Sequence, residues 1–205
     1  MLIMLDCSPK KIAKYTEKYN YEFGQLRTPL TQYRYAGVRW GLDNGCFTTF
    51  KERTWSTMLT EAKCLDVKPT FVCLPDVVGD ARRTLELFTH FEVETMGMAR
   101  ALVLQDGIGG FSIPWNKISA VFVGGSDKFK ESQEAQAACR AAKVLGKWVH
   151  VGRVNTAERT RFWLGKADSL DGSGISRYDH MLEAVLETIR EGTPKAKAKS
   201  VSVWD

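Results

Sequence analysis

The chain has 205 residues, of which 44% are hydrophobic, and a formal net charge of +5 at pH 7. This length is enough to bury one sizeable core and is short for two. We therefore expect one catalytic domain at residues 1–192 and a basic tail at residues 193–205. The apolar runs fall far below the roughly 18 residues that span a bilayer, which predicts a soluble cytoplasmic protein with no membrane partner.

The five cysteines, at positions 7, 46, 64, 73 and 139, form no Cys-x-x-Cys or Cys-x-Cys pair, and the chain has three histidines. Structural zinc sites are built from such closely spaced ligands. We therefore predict reduced thiols, no metal and no cofactor. The excess of positive charge favours a polyanionic partner.

Short β-branched or aromatic runs alternate along the chain with segments of helical period. The predicted strands are residues 2–5, 38–43, 70–75, 101–105, 120–125, 148–153 and 168–172, with a further candidate at 201–204. The predicted helices are residues 10–19, 54–66, 80–91, 132–146, 156–166 and 177–192. Thr54, Asp80 and Thr156 stand where N-caps belong, and residues 24–37 form a long irregular segment that is long enough to be functional.

Repeated β then α with short connections predicts parallel strands joined by helical crossovers. Seven or eight strands favour a compact (β/α)8-type TIM barrel, reduced or irregular in places. An open doubly wound sheet is the alternative, because periodicity alone does not separate the two folds.

Polar residues and glycines follow almost every predicted strand. In both folds, ligands bind at the carboxyl ends of parallel strands, so these residues are the candidate site. They are Asp43, Asn44 and Gly45; Asp76; Gln105, Asp106 and Gly107; Gly124, Gly125 and Ser126; Gly152 and Arg153; and Asp171, Gly172 and Ser173.

Turn formation gives a second interpretation of the same residues, since Asp and Gly are common in turns. Asp43 and Asp171 could cap helices or pair with Arg153 and Arg177. For Asp168 this structural interpretation is the stronger one, because it lies at the start of its strand or on the other face. The run of such positions nevertheless favours a site.

Two facing carboxylates can cleave a glycosidic bond, one attacking the sugar carbon while the other transfers a proton. Glycines at 107, 124, 125 and 172 let a flat ligand approach the backbone, and Gln105 offers a donor and an acceptor to a base edge. This set suits a purine-like heterocycle. A phosphate at Gly124–Ser126 is the alternative ligand.

Further residues could contact a nucleic acid, although exposed charges are mostly solvated and tryptophans mostly belong to the core. The candidates for a phosphate track are Arg27, Arg34, Arg153, Arg161 and Lys166, and those for base stacking are Trp40, Trp115, Trp148 and Trp163.

The order of these motifs resembles the tRNA-guanine transglycosylase superfamily, and in particular its short phage-encoded members that resemble DNA-guanine transglycosylases. The resemblance rests on "LDNGCF" at 42–47, "LPDVV" at 74–78, "VLQDG" at 103–107, "VFVGGS" at 121–126 and "DSLDGSG" at 168–174. No single segment is specific; their order and spacing carry the likeness along most of residues 38–175.

The resemblance implies that Asp171 is the nucleophile that attacks the anomeric carbon and that Asp43 is the general acid/base. It implies that Asp76, Gln105 and the backbone at Gly124 and Gly125 bind the base. Asn44, where the family usually has Ser, and Gly152 complete the substrate-binding set.

The chain departs from the larger family members after Asp171, where it has no cysteine for their zinc site. That region supports tRNA docking, so DNA becomes the expected polymer and tRNA the less expected one. A free 7-deazaguanine, such as 7-cyano-7-deazaguanine, would be the incoming base. A homodimer is compatible with the sequence.

Two other functions stay open at this point. The chain could be a catalytically silent nucleic-acid-binding subunit of a larger transglycosylase, although it has both candidate acids. It could also act on small molecules, as a nucleoside deoxyribosyltransferase or a phosphosugar isomerase.

Overall fold

The computed structural model of the protein describes residues 1–192. The tail at 193–205 and the strand candidate at 201–204 lie outside these residues. The strands are β1 (Leu2–Leu5), β2 (Gly24–Arg27), β3 (Trp40–Leu42), β4 (Val72–Cys73), β5 (Arg100–Leu104), β6 (Ala120–Val123), β7 (Trp148–Val151) and β8 (Ser169–Asp171). The helices are α1 (Pro9–Tyr19), α2 (Glu52–Cys64), α3 (Ala81–Phe91), α4 (Asp127–Lys130), α5 (Gln133–Val144), α6 (Ala157–Trp163), α7 (Ser173–Arg177) and α8 (Asp179–Gly192).

The eight strands form a closed barrel in chain order, and every neighbouring pair is parallel. The barrel closes where β8 pairs with β1, with Met4 opposite Asp171. Helices surround the strands, so the prediction of a compact (β/α)8 barrel is confirmed and the open sheet is excluded.

The second strand of the barrel was not predicted. Residues 24–27 lie in the segment expected to be irregular, yet they form β2, between β1 and β3. Its polar residues are buried with hydrogen-bond partners: the Gln25 amide donates to the Cys7 and Arg34 carbonyls, and Arg27 pairs with Glu61 at 2.9 Å. β2 is therefore the eighth strand of the barrel, for which residues 201–204 were the candidate in the sequence.

Two of the three predicted helix caps are confirmed and one is wrong. Asp80 and Thr156 each accept a hydrogen bond from the backbone N–H three residues later. The prediction that Thr54 caps α2 is wrong. The helix begins at Glu52, and Lys51, at the capping position, makes no side-chain hydrogen bond.

The inner and outer faces of the barrel strands carry different residues, because side chains alternate along a strand. On β6, for example, Val121 and Val123 pack against the helices, whereas Ala120 and Phe122 point into the barrel. Extending this alternation past the strand ends directs a ring of polar residues and glycines towards the barrel axis. This ring comprises Asp6, Thr28, Asp43, Gln105, Gly124, Gly152 and Asp171.

In residues 1–192, no helix is long and apolar enough to cross a bilayer. No three or more His, Cys, Asp or Glu side chains are grouped there so that they could hold a metal ion.

Candidate active site

A cavity of about 350 Å³ opens at the carboxyl ends of the strands. It is lined by all eight residues that the sequence analysis placed in the catalytic and substrate-binding set. These are Asp43, Asn44, Asp76, Gln105, Gly124, Gly125, Gly152 and Asp171. Six strands contribute to the set, so the barrel brings together residues that are up to 128 positions apart in the chain, from Asp43 to Asp171.

Asp43 follows β3 at one side of the cavity. Burial raises the pKa of its carboxyl to about 7, and the negative charges of Asp171 and Asp76 add to the rise. The backbone N–H groups of Asn44 and Gly45 oppose it. A carboxyl with a pKa near neutrality is half protonated there, so it can both donate and accept a proton.

Asp76 is held by two amide side chains. Asn44 Nδ2 donates to Asp76 Oδ1 at 2.7 Å and to the Leu74 carbonyl, and Gln105 Nε2 donates to Asp76 Oδ2. Burial raises the pKa of Asp76, although both amide hydrogen bonds oppose this rise. Gln105 Oε1 in turn accepts from the Gly79 N–H at 2.8 Å. Within residues 1–192, one N–H of Gln105 Nε2 makes no hydrogen bond, and the Asp76 carboxylate is held in a fixed orientation by the two amides.

Asp171 ends β8, and its side chain is 16% exposed. Its Oδ1 lies 3.0 Å from Nε2 of His150, a fully buried residue of β7. The alternative in which Asp43 and Asp171 pair with Arg153 and Arg177 does not occur in the described residues, where neither aspartate forms an ion pair with an arginine. The carboxylate is therefore not neutralised by a guanidinium.

Asp168 has a structural role instead. Its carboxylate accepts hydrogen bonds from Lys143 and from the Val149 N–H of β7, at the amino end of the strand and away from the cavity. This is the structural role that the sequence predicted for it.

A cationic side chain that the sequence analysis missed also lines the cavity. Lys130, on the short helix α4, is 2% exposed and donates to the Gly152 carbonyl at 2.9 Å. Burial lowers its pKa to about 8; Arg153 adds to the effect, while Asp171 opposes it. No sequence signal identified this residue, because α4 has only four residues and was not predicted.

The mouth of the cavity carries an aromatic ring beside a cation. Phe47 is 60% exposed, and the Arg153 guanidinium lies 3.9 Å from its ring centroid. Arg153 adopts a positive φ of 63°, which is uncommon for a residue with a side chain and is concentrated at functional sites. Phe47 was part of the "LDNGCF" segment but was not singled out.

Asp6 is a further acid in the cavity that the sequence analysis did not select. It accepts from the Thr31 hydroxyl at 2.6 Å. Burial raises its pKa, and the charge of Asp171 adds to this rise. Four carboxyl groups, at Asp6, Asp43, Asp76 and Asp171, thus line one cavity.

The predicted nucleic-acid contacts are only partly placed at this cavity. Of the five phosphate-track candidates, Arg153 lines it, whereas Arg27 is 3% exposed and paired with Glu61. None of the four candidate tryptophans lines the cavity, and Trp40 and Trp163 are buried in the core. The exposed aromatic ring at the mouth is Phe47 instead.

No family model matches the chain, and no curated protein matches it either. A solved chain from Aquifex aeolicus VF5 is similar over 77% of this chain, with 13% sequence identity and a TM-score of 0.43. The alignment covers 63% of that solved chain, less than two thirds of its length. A likeness this distant says nothing about activity, so function has to be argued from the cavity.

Proposed function

We propose that this protein exchanges guanine in DNA for a free 7-deazaguanine through a covalent aspartyl-glycosyl intermediate. The observation that carries the proposal is a single cavity lined by two acids, Asp43 with a pKa of about 7 and Asp171 without an arginine partner. A carboxylate nucleophile and a carboxyl group that titrates near neutrality are the two groups that glycosyl transfer needs.

In the first half-reaction an oxygen of Asp171 attacks C1′ of the deoxyguanosine. The C1′–N9 bond breaks with its electron pair going to the base, and protonated Asp43 gives its proton to the departing guanine. In the second half-reaction the Asp43 carboxylate takes the proton from N9 of the incoming base. That nitrogen attacks C1′ and Asp171 leaves as a carboxylate. The glycosidic bond and both protonation states are restored, so each turnover consumes one incoming base, releases one guanine and needs no other reactant.

The remaining groups of the cavity suit a guanine-like base. The oriented carboxylate of Asp76 can accept from adjacent N–H groups on the pyrimidine edge, and the free N–H of Gln105 can donate to a ring acceptor. Phe47 offers an exposed ring for stacking at the mouth.

DNA as the polymer is supported by charge and by access. The chain has a net charge of +5, and Arg153 and Arg177 line the cavity that would receive the nucleotide. A cavity of about 350 Å³ admits a single extruded nucleotide and not a base within a duplex. The substrate is thus a flipped or single-stranded guanine.

The test is incorporation of radiolabelled 7-cyano-7-deazaguanine into a guanine-containing oligonucleotide. We expect label in the DNA with release of one guanine per label. Asp171→Asn should lower the rate by at least about 10³-fold, and Asp66→Asn, which removes an exposed carboxylate on the outer surface, should leave it unchanged. Full activity in Asp171→Asn would refute the mechanism.

A second candidate is exchange on free nucleosides, since the same cavity would hold a single nucleoside. Free deoxyguanosine in place of the oligonucleotide separates the two. Exchange on the nucleoside alone favours a deoxyribosyltransferase, and DNA binding without any exchange favours the silent subunit.

A further inference from the structure

Three side chains behind Asp171 form a continuous chain of hydrogen bonds on the inner face of β7 and β8. Asp171 Oδ1 lies 3.0 Å from His150 Nε2, and His150 Nδ1 lies 2.7 Å from Ser169 Oγ. Trp148 Nε1 lies 2.8 Å from the same Ser169 oxygen. Trp148 and His150 are two residues apart on β7, and Ser169 and Asp171 are two residues apart on β8. Because side chains alternate along a strand, all four lie on the same face.

The direction of each hydrogen bond follows from a count of hydrogens. The indole N–H of Trp148 can only donate, so Ser169 Oγ accepts it. Ser169 is fully buried, so its own hydroxyl hydrogen has to find an acceptor inside the protein, and His150 Nδ1 is the second partner of that oxygen. The proton of the imidazole therefore stands on Nε2, which donates to Asp171.

A doubly protonated His150 does not fit this arrangement. Both ring nitrogens would then donate, and the hydroxyl hydrogen of Ser169 would have no acceptor within the described part of the chain. A buried donor left without a partner destabilises the folded state. The hydrogen-bond count thus favours neutral imidazole.

The ring is also fixed by packing. His150 is fully buried, with the Phe71 ring centroid 4.9 Å away and that of Phe122 4.6 Å away. Both phenylalanines belong to the core inside the barrel. The imidazole therefore has little freedom to turn away from Asp171.

We propose that His150 is a positioning residue, held by Ser169 and Trp148 as the neutral Nε2–H tautomer so that it fixes Oδ1 of Asp171 and leaves Oδ2 as the attacking oxygen. The kinetic part of this inference rests on the proposed function; the tautomer does not. A neutral donor orients the carboxylate without cancelling its charge, which has to stabilise the positive charge that develops at C1′.

The residue types Ser, His and Asp are those of a hydrolase triad, but their order in space is inverted. Here the aspartate faces the cavity and the serine is buried beneath the histidine. Ser169 is accordingly an anchor and not a nucleophile.

The tautomer is tested directly by NMR on the full chain labelled with [15N]histidine. The chain has three histidines, and the His150→Gln variant assigns the signals of His150. At pH 7.5 we expect a protonated, pyrrole-type Nε2 and an unprotonated Nδ1. A pyrrole-type Nδ1, or an imidazolium, would overturn the proposal whatever the activity of the protein.

The positioning role is tested by two variants of His150. In His150→Gln the side-chain amide N–H can still reach Asp171, whereas in His150→Leu no donor is left. Because a misplaced reacting group costs about 100-fold, we expect His150→Leu to lower kcat for exchange by about that factor with KM nearly unchanged. His150→Gln should recover most of the loss, and thermal melting of both variants confirms folding.

Equal losses in folded His150→Gln and His150→Leu, or a loss confined to KM, would contradict the positioning role. Absence of exchange in the unaltered protein would instead refute the proposed function, while the NMR result still decides the tautomer.

Discussion

Asp43→Asn should stabilise the protein at pH 8 and have little effect near pH 4, because the folded cavity opposes ionisation of this carboxyl. The pKa of Asp43 rises from 3.8 to about 7, and one pKa unit corresponds to about 1.4 kcal/mol. Ionising Asp43 therefore costs the folded state up to about 4 kcal/mol relative to the unfolded chain.

The sign follows from proton binding. Between pH 4 and pH 7 the folded state keeps a proton on Asp43 that the unfolded state has lost, so the free energy of unfolding falls as the pH rises. About 3 kcal/mol of this loss in the free energy of unfolding occurs between pH 5 and pH 8. Asparagine does not titrate, and its carbonyl oxygen can still accept from the backbone N–H groups of Asn44 and Gly45.

Urea unfolding followed by tryptophan fluorescence at pH 5, 6, 7 and 8 measures this effect. The buried acids Asp6 and Asp76 also have raised pKa values and contribute to the slope of the unaltered protein. The difference between that protein and Asp43→Asn isolates Asp43, and Asp66→Asn controls for net charge. If the free energy of unfolding changes with pH to the same extent in the unaltered protein and in Asp43→Asn, the fold does not oppose ionisation of Asp43. The assignment of Asp43 as acid/base then fails.

The remaining predictions concern the walls of the cavity. Gly152→Ala should lower exchange activity, because the added Cβ would lie 2.5 Å from the Phe122 ring. Steady-state kinetics measures the exchange rate, and an unchanged rate would contradict this packing. Asn44→Ala should destabilise the protein by about 1–3 kcal/mol, since Asp76 loses a partner; equal denaturation midpoints would refute this. Lys130→Met should stabilise the protein most at pH 7 and progressively less towards pH 10. The pKa of Lys130 is lowered to about 8, so the folded state is destabilised by the charged amine, which is present only at the lower pH values. A difference in the free energy of unfolding that does not change with pH would contradict this.

Seven of the barrel strands could be predicted because their apolar runs are bounded by turn residues. β2 could not, because Gln25 and Arg27 face the layer between strands and helices, where apolar residues are the rule. Their burial is explained by specific partners, the carbonyls of Cys7 and Arg34 and the carboxylate of Glu61. Such partners are not visible in a four-residue stretch of sequence.

The position of the candidate site could be predicted, because the carboxyl ends of all parallel strands meet at one end of a barrel. Asp43 and Asp171 were identified because each directly follows or ends a predicted strand. The other groups around the cavity were not predictable, since His150 lies within a strand and Lys130 on a short helix outside any motif. Each contacts a neighbour that only the folded chain brings near: His150 contacts Asp171, and Lys130 contacts Gly152.

The covalent intermediate is the most direct test of the account. A guanine-containing oligonucleotide is incubated with the protein without incoming base, quenched in denaturant and analysed by intact mass and peptide mapping. The account predicts a protein–DNA adduct lacking one guanine, attached at Asp171 and absent from Asp171→Asn. An adduct at another residue, or exchange that proceeds with no adduct and survives Asp171→Asn, would contradict it.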